Sequence, residues 1–314
     1  MNKALQSARV LAVLMLAGCP AFAAELSVGH GKTYARPSQA ARAAQRGDVI
    51  RIFPGTYNDC AHWNTSDLVI EGIGPNVILA GKVCDSKGIF ITRGDDITIR
   101  NITFTGAQAP NHNGAGIRAE GANLTVEDSR FIGNENGILT SGNQASRITI
   151  KTSTFRGNGN CIAACAHGIY AGHIALLRVE ASTFEQQHVG HHIKSRAART
   201  EIVRNSVQDG SGGSASYLLD LPNGGSALIS GNLFEKGAGS RNKHTAISVG
   251  AESETNPAGE IVVEDNRFFN DSGIKTAFVR NYTARPITLL RNQFSGDVTP
   301  VDGPLPSKDK QAKP

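Results

Sequence analysis

The chain of 314 residues is 39% hydrophobic and only 6% aromatic, with 35 glycines, a balance that suits a long narrow core rather than a thick layered one. Its formal charge of +5 falls to +3 once Lys3 and Arg9 leave with a leader, and no Lys/Arg run or basic-aromatic interleaving appears. Nucleic acid is therefore a poor fit as a partner, whereas a mildly positive surface suits an acidic polymer.

Residues 1–23 read as a secretory signal: Lys3 and Arg9 form the basic start, residues 10–17 the apolar stretch, and Ala21-Phe22-Ala23 a small-x-small cleavage site. Leu16-Ala17-Gly18-Cys19 also resembles a lipobox, so a lipoprotein anchored at Cys19 is the alternative to plain export to the periplasm or medium. No other stretch is long and apolar enough to span a membrane. A single domain is expected over residues 24–299. It opens with an extended lead-in and an Ala-rich helix over residues 38–46, ended by Gly47 and placed to cap an open end of sheet. Short strands follow from residue 49, with Pro54-Gly55 as a bend.

One phrase then returns eight times, as in ITIRNITF (97–104), LTVEDSRF (124–131) and ITIKTSTF (148–155). Its closing residues, Phe104, Phe131, Phe155, Phe184, Val207, Phe234, Phe268 and Phe294, lie 27, 24, 29, 23, 27, 34 and 26 positions apart. A repeat of that length with period-2 hydrophobics marks a β-solenoid. Two residues before the closing residue stands a polar column of Ser129, Ser153, Ser182, Asn205, Asn232, Asn266 and Asn292, expected to hydrogen-bond along the stack; only the first repeat departs, with Ile102 there and Asn101 one place earlier. From Pro300 to residue 314 the composition turns polar and rich in Pro and Lys, which reads as a disordered tail.

Export places the remaining cysteines in an oxidising compartment. Cys60 and Cys84 lie one repeat apart, which suits a bridge between rungs, and Cys161 and Cys165 share one loop; the sequence leaves the pairing open. A metal site of Cys161 and Cys165 with His167 and His173 is the weaker reading.

A second strand precedes each phrase, with Ile or Leu at its centre and the residues on either side expected to face outward. The place after the centre holds Arg118, Leu139, Tyr170, Lys194, Asp220 and Ser248; the place before it holds Gly116, Gly137, Gly168 and His192; the next outward place holds Glu120, Ser141, Gly172, Arg196 and Pro222. His191 should then turn inside. One face would gather Tyr170, His192, Lys194, Arg196 and Asp220 over a floor of glycines, flanked by inserts at residues 158–166, 209–215 and 236–243. Arg118, His173, Asn223 and Ser248 are the expected substrate-binding residues around it.

The spacing, the Ser/Asn column and the Ala-rich cap resemble the right-handed parallel β-helix of the pectate-lyase-like superfamily over residues 45–299. That resemblance implies an all-β fold and extracellular chemistry on acidic polysaccharides. His192-Ile193-Lys194-Ser195 followed by IVRNSV is similar to the strand that carries the base in polysaccharide lyase family 6, which implies Lys194 as base. The arginine that family places on the next turn has no counterpart here, and Asp220 stands near its place. Calcium occurs in some relatives, and Asp220 alone does not establish it here, so no metal or cofactor is assigned.

β-Elimination of a uronate polymer needs a base for the C5 proton, a cation on the carboxylate and an acid for the departing oxygen. Lys194 is the expected base, Arg196 or Arg118 the carboxylate clamp, and Tyr170 or His192 the acid. The alternatives are a non-catalytic polysaccharide-binding protein, in which Lys194 only pairs with Asp220, and a uronate C5-epimerase, whose Asp-Pro-His-Asp motif is absent. A monomer is expected.

Overall fold

Apolar and polar residues alternate through each repeat, and the chain answers with three short strands per coil. In the computed structural model, which describes residues 23–162 and 164–304, these assemble into three sheets of 11, 10 and 10 strands. The first sheet runs from Glu25–Val28 to Thr288–Leu290, the second from Ala61–Trp63 to Val298–Asp302, and the third from Gly55–Tyr57 to Gln293–Ser295. Neighbouring strands are parallel and belong to successive coils, so the molecule is a β-solenoid of about ten turns. Except for Ala23, the expected leader with Cys19 lies outside the described residues, as does the chain beyond residue 304. No described helix is long and apolar enough to cross a membrane.

The polar column binds as its spacing implies. The backbone N–H of Ser129 donates to Ser153 Oγ, that of Ser182 to Asn205 Oδ1, and that of Asn232 to Asn266 Oδ1, at 3.2, 2.9 and 2.9 Å. From Ile102 to Asn266 this one bend of each coil is thus tied to the next coil by a side-chain hydrogen bond. Inside, the rings of Phe104, Phe131, Phe155 and Phe184 stack with centroids 5.2, 4.7 and 4.6 Å apart. Each is fully buried or nearly so, contributing about 1.5–3 kcal/mol of apolar burial.

That stack explains the glycines and overturns their expected role. A Cβ on Gly116 would stand 2.9 Å from Phe131 Cδ1, and one on Gly137 would stand 2.7 Å from Phe155 Cδ1. They face the core, not a groove. The ladder runs from Ala115↔Asn136 to Ile117↔Ile138 and skips the glycine pair between them. The skip turns two successive residues of these strands inward. It therefore buries His192 beside Ile193, against the expectation that His192 faces solvent.

The outer face of the first sheet is given to ion pairs. Arg51, Glu71, Arg100, Glu127, Lys151 and Glu180 follow one another in register with alternating sign.

The cap is the helix Pro37–Ala43, which begins one residue before the expected span and ends three residues before it, with Ala40 and Ala41 buried against the end of the solenoid. Asp48 explains the early stop, because its carboxylate accepts the backbone N–H groups of Ala24 and Gln45, both at 2.8 Å, while its own N–H donates to Gln45 O at 3.1 Å and closes a turn over residues 45–48. At the other end the strand Val298–Asp302 pairs with Thr276–Asn281, and Arg280 Nη2 meets Asp302 Oδ2 at 2.8 Å. Pro300, Val301 and Asp302 thus belong to the last coil instead of the expected tail.

His192, Asp209 and Lys236 form a buried polar knot under the inserts. His192 Nε2 lies 3.0 Å from Asp209 Oδ1, and Lys236 Nζ lies 3.7 Å from Asp209 Oδ2 while donating to Ser216 O at 2.7 Å. Burial pushes the Lys236 amine down to about 8, with Asp209 opposing the shift. Burial also raises Asp209, but His192 and Lys236 outweigh it and leave the carboxyl below its usual value. Lys236→Ala removes the amine beside that buried carboxylate, which keeps only its contacts to His192, Gly237 and Ser240, and should cost about 3 kcal/mol, read as a lower urea midpoint. Because the folded chain holds the Lys236 proton less tightly than the unfolded chain, this group's contribution improves as pH rises from about 8 towards 10.5. The gap in midpoint between wild type and Lys236→Ala should therefore widen over that range.

Candidate functional site

On the second sheet one outward column runs in register through Arg118, Leu139, Tyr170, Lys194, Asp220 and Ser248. Tyr170, Lys194 and Asp220 therefore occupy adjacent rungs, ~4.8 Å apart. Arg196 follows the same strand as Lys194, one inward residue later.

The two cations converge on a residue that the sequence reading did not select. Lys194 Nζ donates to Glu252 Oε1 at 2.7 Å, and Arg196 Nη2 donates to Glu252 Oε2 at 2.5 Å. Arg196 Nε also donates to Tyr170 Oη at 2.9 Å and Nη1 to Asn223 Oδ1 at 2.6 Å. The side chains of Lys194 and Arg196 are only 12% and 16% exposed, while that of Glu252 is 46% exposed. The carboxylate thus sits at the solvent edge of a partly desolvated cation pair. Burial raises Glu252, but its hydrogen bonds to Lys194 and Arg196 prevail and hold it below the usual carboxylate range. For Arg196, burial is likewise outweighed by Tyr170 and Glu252, which raise it.

Glu252 arrives on a loop that folds back over two earlier coils. Its N–H and that of Ser253 donate to Pro222 O, and Asn256 Nδ2 donates to Ala197 O at 2.9 Å and to Gly224 O at 3.2 Å. The signal for this loop was the 34-residue gap between Phe234 and Phe268, the longest of the series. Only residues 236–243 were read as the insert, although residues 250–260 share it.

Asp220 lies beneath this surface. Its Oδ2 is 3.5 Å from Lys194 Nζ and 3.6 Å from His191 Nε2, whereas its buried Oδ1 has no hydrogen-bond partner. Burial raises its carboxyl above the usual range, with Lys194 opposing. Ser248 faces it from the next rung, buried and without a hydrogen bond of regular geometry.

His191, expected inside, faces outward because His192 and Ile193 both turn in. Its ring stacks between His167 and Tyr217 at 4.8 and 4.9 Å. His167 Nδ1 accepts the N–H of His191 at 3.0 Å, and His191 Nδ1 accepts that of Tyr217 at 3.2 Å. A backbone N–H can only donate, so both imidazoles are neutral with the proton on Nε2. Burial, then Lys194, pushes His191 down to about 3.

The remaining candidates scatter. Asn223 helps to hold Arg196, whereas Arg118 stands two rungs before Tyr170, its Nε 3.7 Å from Glu120. His173 is exposed in the loop after Ala171, without a hydrogen bond or ion pair among the described residues. Cys60 is joined to Cys84 and Cys161 to Cys165, which removes their thiolates from metal binding and with them the Cys/His metal alternative.

Residues 54–238 match the family model described as "Periplasmic copper-binding protein (NosD)". No curated protein matches the chain. Among solved structures, ORF18 of Geobacillus virus E2 superposes with TM-score 0.54 and 14% identity, covering 83% of this chain and 57% of the viral protein's length. The alginate lyase from Paenibacillus sp. str. FPU-7 gives 0.52 and 14%, covering 88% of this chain and 99% of the lyase. Pectate lyase Pel9A gives 0.52 and 14%, covering 93% and 83%. At such identity these structures share the fold.

Copper asks for thiolate, thioether or imidazole donors. Both methionines, Met1 and Met15, lie outside the described residues, the four described cysteines are in disulfides, and no three His, Cys, Asp or Glu side chains gather around one point among the described residues. His167 and His191 each have Nδ1 tied to backbone. The described residues do not fit a copper centre.

The fixed tautomer gives a direct check. In ¹⁵N-resolved NMR, His191 should remain neutral and Nε2-protonated from pH 8 down to about 4, with no titration near the ordinary histidine value. A midpoint near neutrality would contradict the stacked arrangement.

Proposed function

The chain belongs to the family described as periplasmic copper-binding protein (NosD), and on that footing we propose that it is an exported protein that binds an acidic, uronate-containing polysaccharide on its second sheet. One observation carries this reading: Lys194 and Arg196 already grip both oxygens of a single carboxylate, that of Glu252. A uronate carboxylate has the same shape and charge. Charge-assisted hydrogen bonds from a partly desolvated pair are the interactions that select such a group. The Tyr170 ring, with Lys194 Nζ and the Arg196 guanidinium each 5.8 Å from its centroid, supplies a flat apolar surface beside the charge.

A second reading, cleavage by β-elimination, is favoured by the hydrogen bond from Arg196 Nε to the Tyr170 oxygen. With the ligand carboxylate in place of Glu252, Arg196 would neutralise it and Lys194, as the free amine, would take the C5 proton. The electrons form the C4–C5 double bond, the C4–O4 bond breaks, and the Tyr170 phenol protonates O4. Asp220 would hold Lys194 in position. His192 is too deeply buried to act as the acid.

Purified protein should bind polygalacturonate or alginate and not a neutral glucan, with affinity falling as salt rises. Lys194→Ala and Arg196→Ala should each weaken binding roughly tenfold to a hundredfold, the loss expected for one charge-assisted contact of about 1.5–3 kcal/mol. Glu252→Gln should tighten binding, since it removes the internal competitor. Equal binding of neutral and acidic polymers would refute the reading. An unsaturated product, seen by ultraviolet absorbance and lost in Tyr170→Phe, would establish the lyase; binding without product would leave a binding protein.

A further inference from the structure

Two rungs before Tyr170 the same outward column reaches a second group of cations. Arg118 stands in register between Ile91 and Leu139, on the strand Ala115–Ala119. Around it Lys87 Nζ donates to Glu120 Oε1 at 2.6 Å and Arg93 Nε to Glu120 Oε2 at 3.0 Å. Arg93 Nη2 also meets Asp85 Oδ2 at 2.9 Å. Three cations therefore face two carboxylates.

Arg118 is the member left over. Its Nε is buried without a hydrogen-bond partner and lies 3.7 Å from the nearest Glu120 oxygen, which Lys87 already occupies. The side chain is 23% exposed, so the guanidinium has lost much of its water without gaining an acceptor. Such an arrangement is costly unless something else supplies the acceptor. Between this group and Lys194 the column carries Leu139 and Tyr170, and the neighbouring outward places carry Ser141 and Gly172. No charge interrupts the path.

We infer that the Arg118–Arg93–Lys87 group is a second anion subsite, and that the face takes a linear polyanion long enough to reach from it to the Lys194–Arg196 pair. Three rungs separate Arg118 from Lys194, a span of ~14 Å. The inference rests on the polysaccharide reading above and adds a length requirement to it. A ligand shorter than the span meets one group only. A longer one engages both, and its second contact forms at the high effective concentration set by the first.

The test is fluorescence anisotropy of end-labelled oligogalacturonides of graded length with the full chain at fixed salt. Affinity should rise by roughly tenfold or more once the oligomer exceeds the span. In Arg118→Ala, and separately in Arg93→Ala, the affinities of long and short oligomers should converge, with circular dichroism checking that each variant keeps its sheet. A smooth length dependence in wild type, or a step that persists in both variants, overturns the second subsite while leaving carboxylate binding at Lys194 and Arg196 intact. Absence of binding at every length in wild type overturns both.

Discussion

At one bend of each coil from Ile102 to Asn266, a backbone N–H donates to a Ser or Asn side chain one coil further on, and these mostly buried hydrogen bonds hold the coils together. Parallel strands paired by backbone alone can slip; a one-residue slip moves every side chain to the other face. The side-chain acceptor removes that freedom, because only one register brings a hydroxyl or amide under each bend N–H. A misplaced coil would leave buried donors without partners, at a cost of about 1–3 kcal/mol each. From that register follow the stacked phenylalanines, the alternating charges of the first sheet and the column that carries Tyr170, Lys194 and Asp220.

The same register lets charge accumulate on one face without tearing the fold. On the first sheet opposite charges alternate rung by rung, so each is compensated by its neighbours and none is left for a ligand. On the second sheet Lys194 has one ladder neighbour of opposite sign, the buried Asp220, and its shorter contact comes from outside the ladder: Glu252, on a folded-back loop, compensates both Lys194 and Arg196, while Glu120 serves the earlier cations. A counterion borrowed from a loop is exchangeable in a way that an in-register ladder partner is not. This difference separates a structural ion pair from a place where an external carboxylate can compete.

Family and chemistry point in different directions on one matter. The family description names copper, yet the described cysteines are in disulfides, His167 and His191 have Nδ1 tied to backbone, and no three His, Cys, Asp or Glu side chains gather around one point among the described residues. The solenoid supplies a repetitive frame on which different faces can be put to different uses, so membership establishes the frame and leaves each face to be judged by its own groups.

The sequence by itself determined the coil. Its period, its phenylalanines, its Ser/Asn column and the vertical order of Tyr170, Lys194 and Asp220 all follow from a repeat in which equivalent positions must stack. What it did not determine was the direction of residues beside the strand centres, because strict alternation fails where the ladder skips Gly116, Gly137 and the place of His192. The glycines looked like a groove floor, but the Phe rings across the core need that space, and His191 and His192 exchange sides for the same reason. Nor did the repeat place Glu252, since a loop has no period to read. Only the tertiary fold brings residues 56 and 58 positions apart into one ion-paired cluster, because the return path is set by hydrogen bonds to Pro222, Ala197 and Gly224, not by the pattern of the chain.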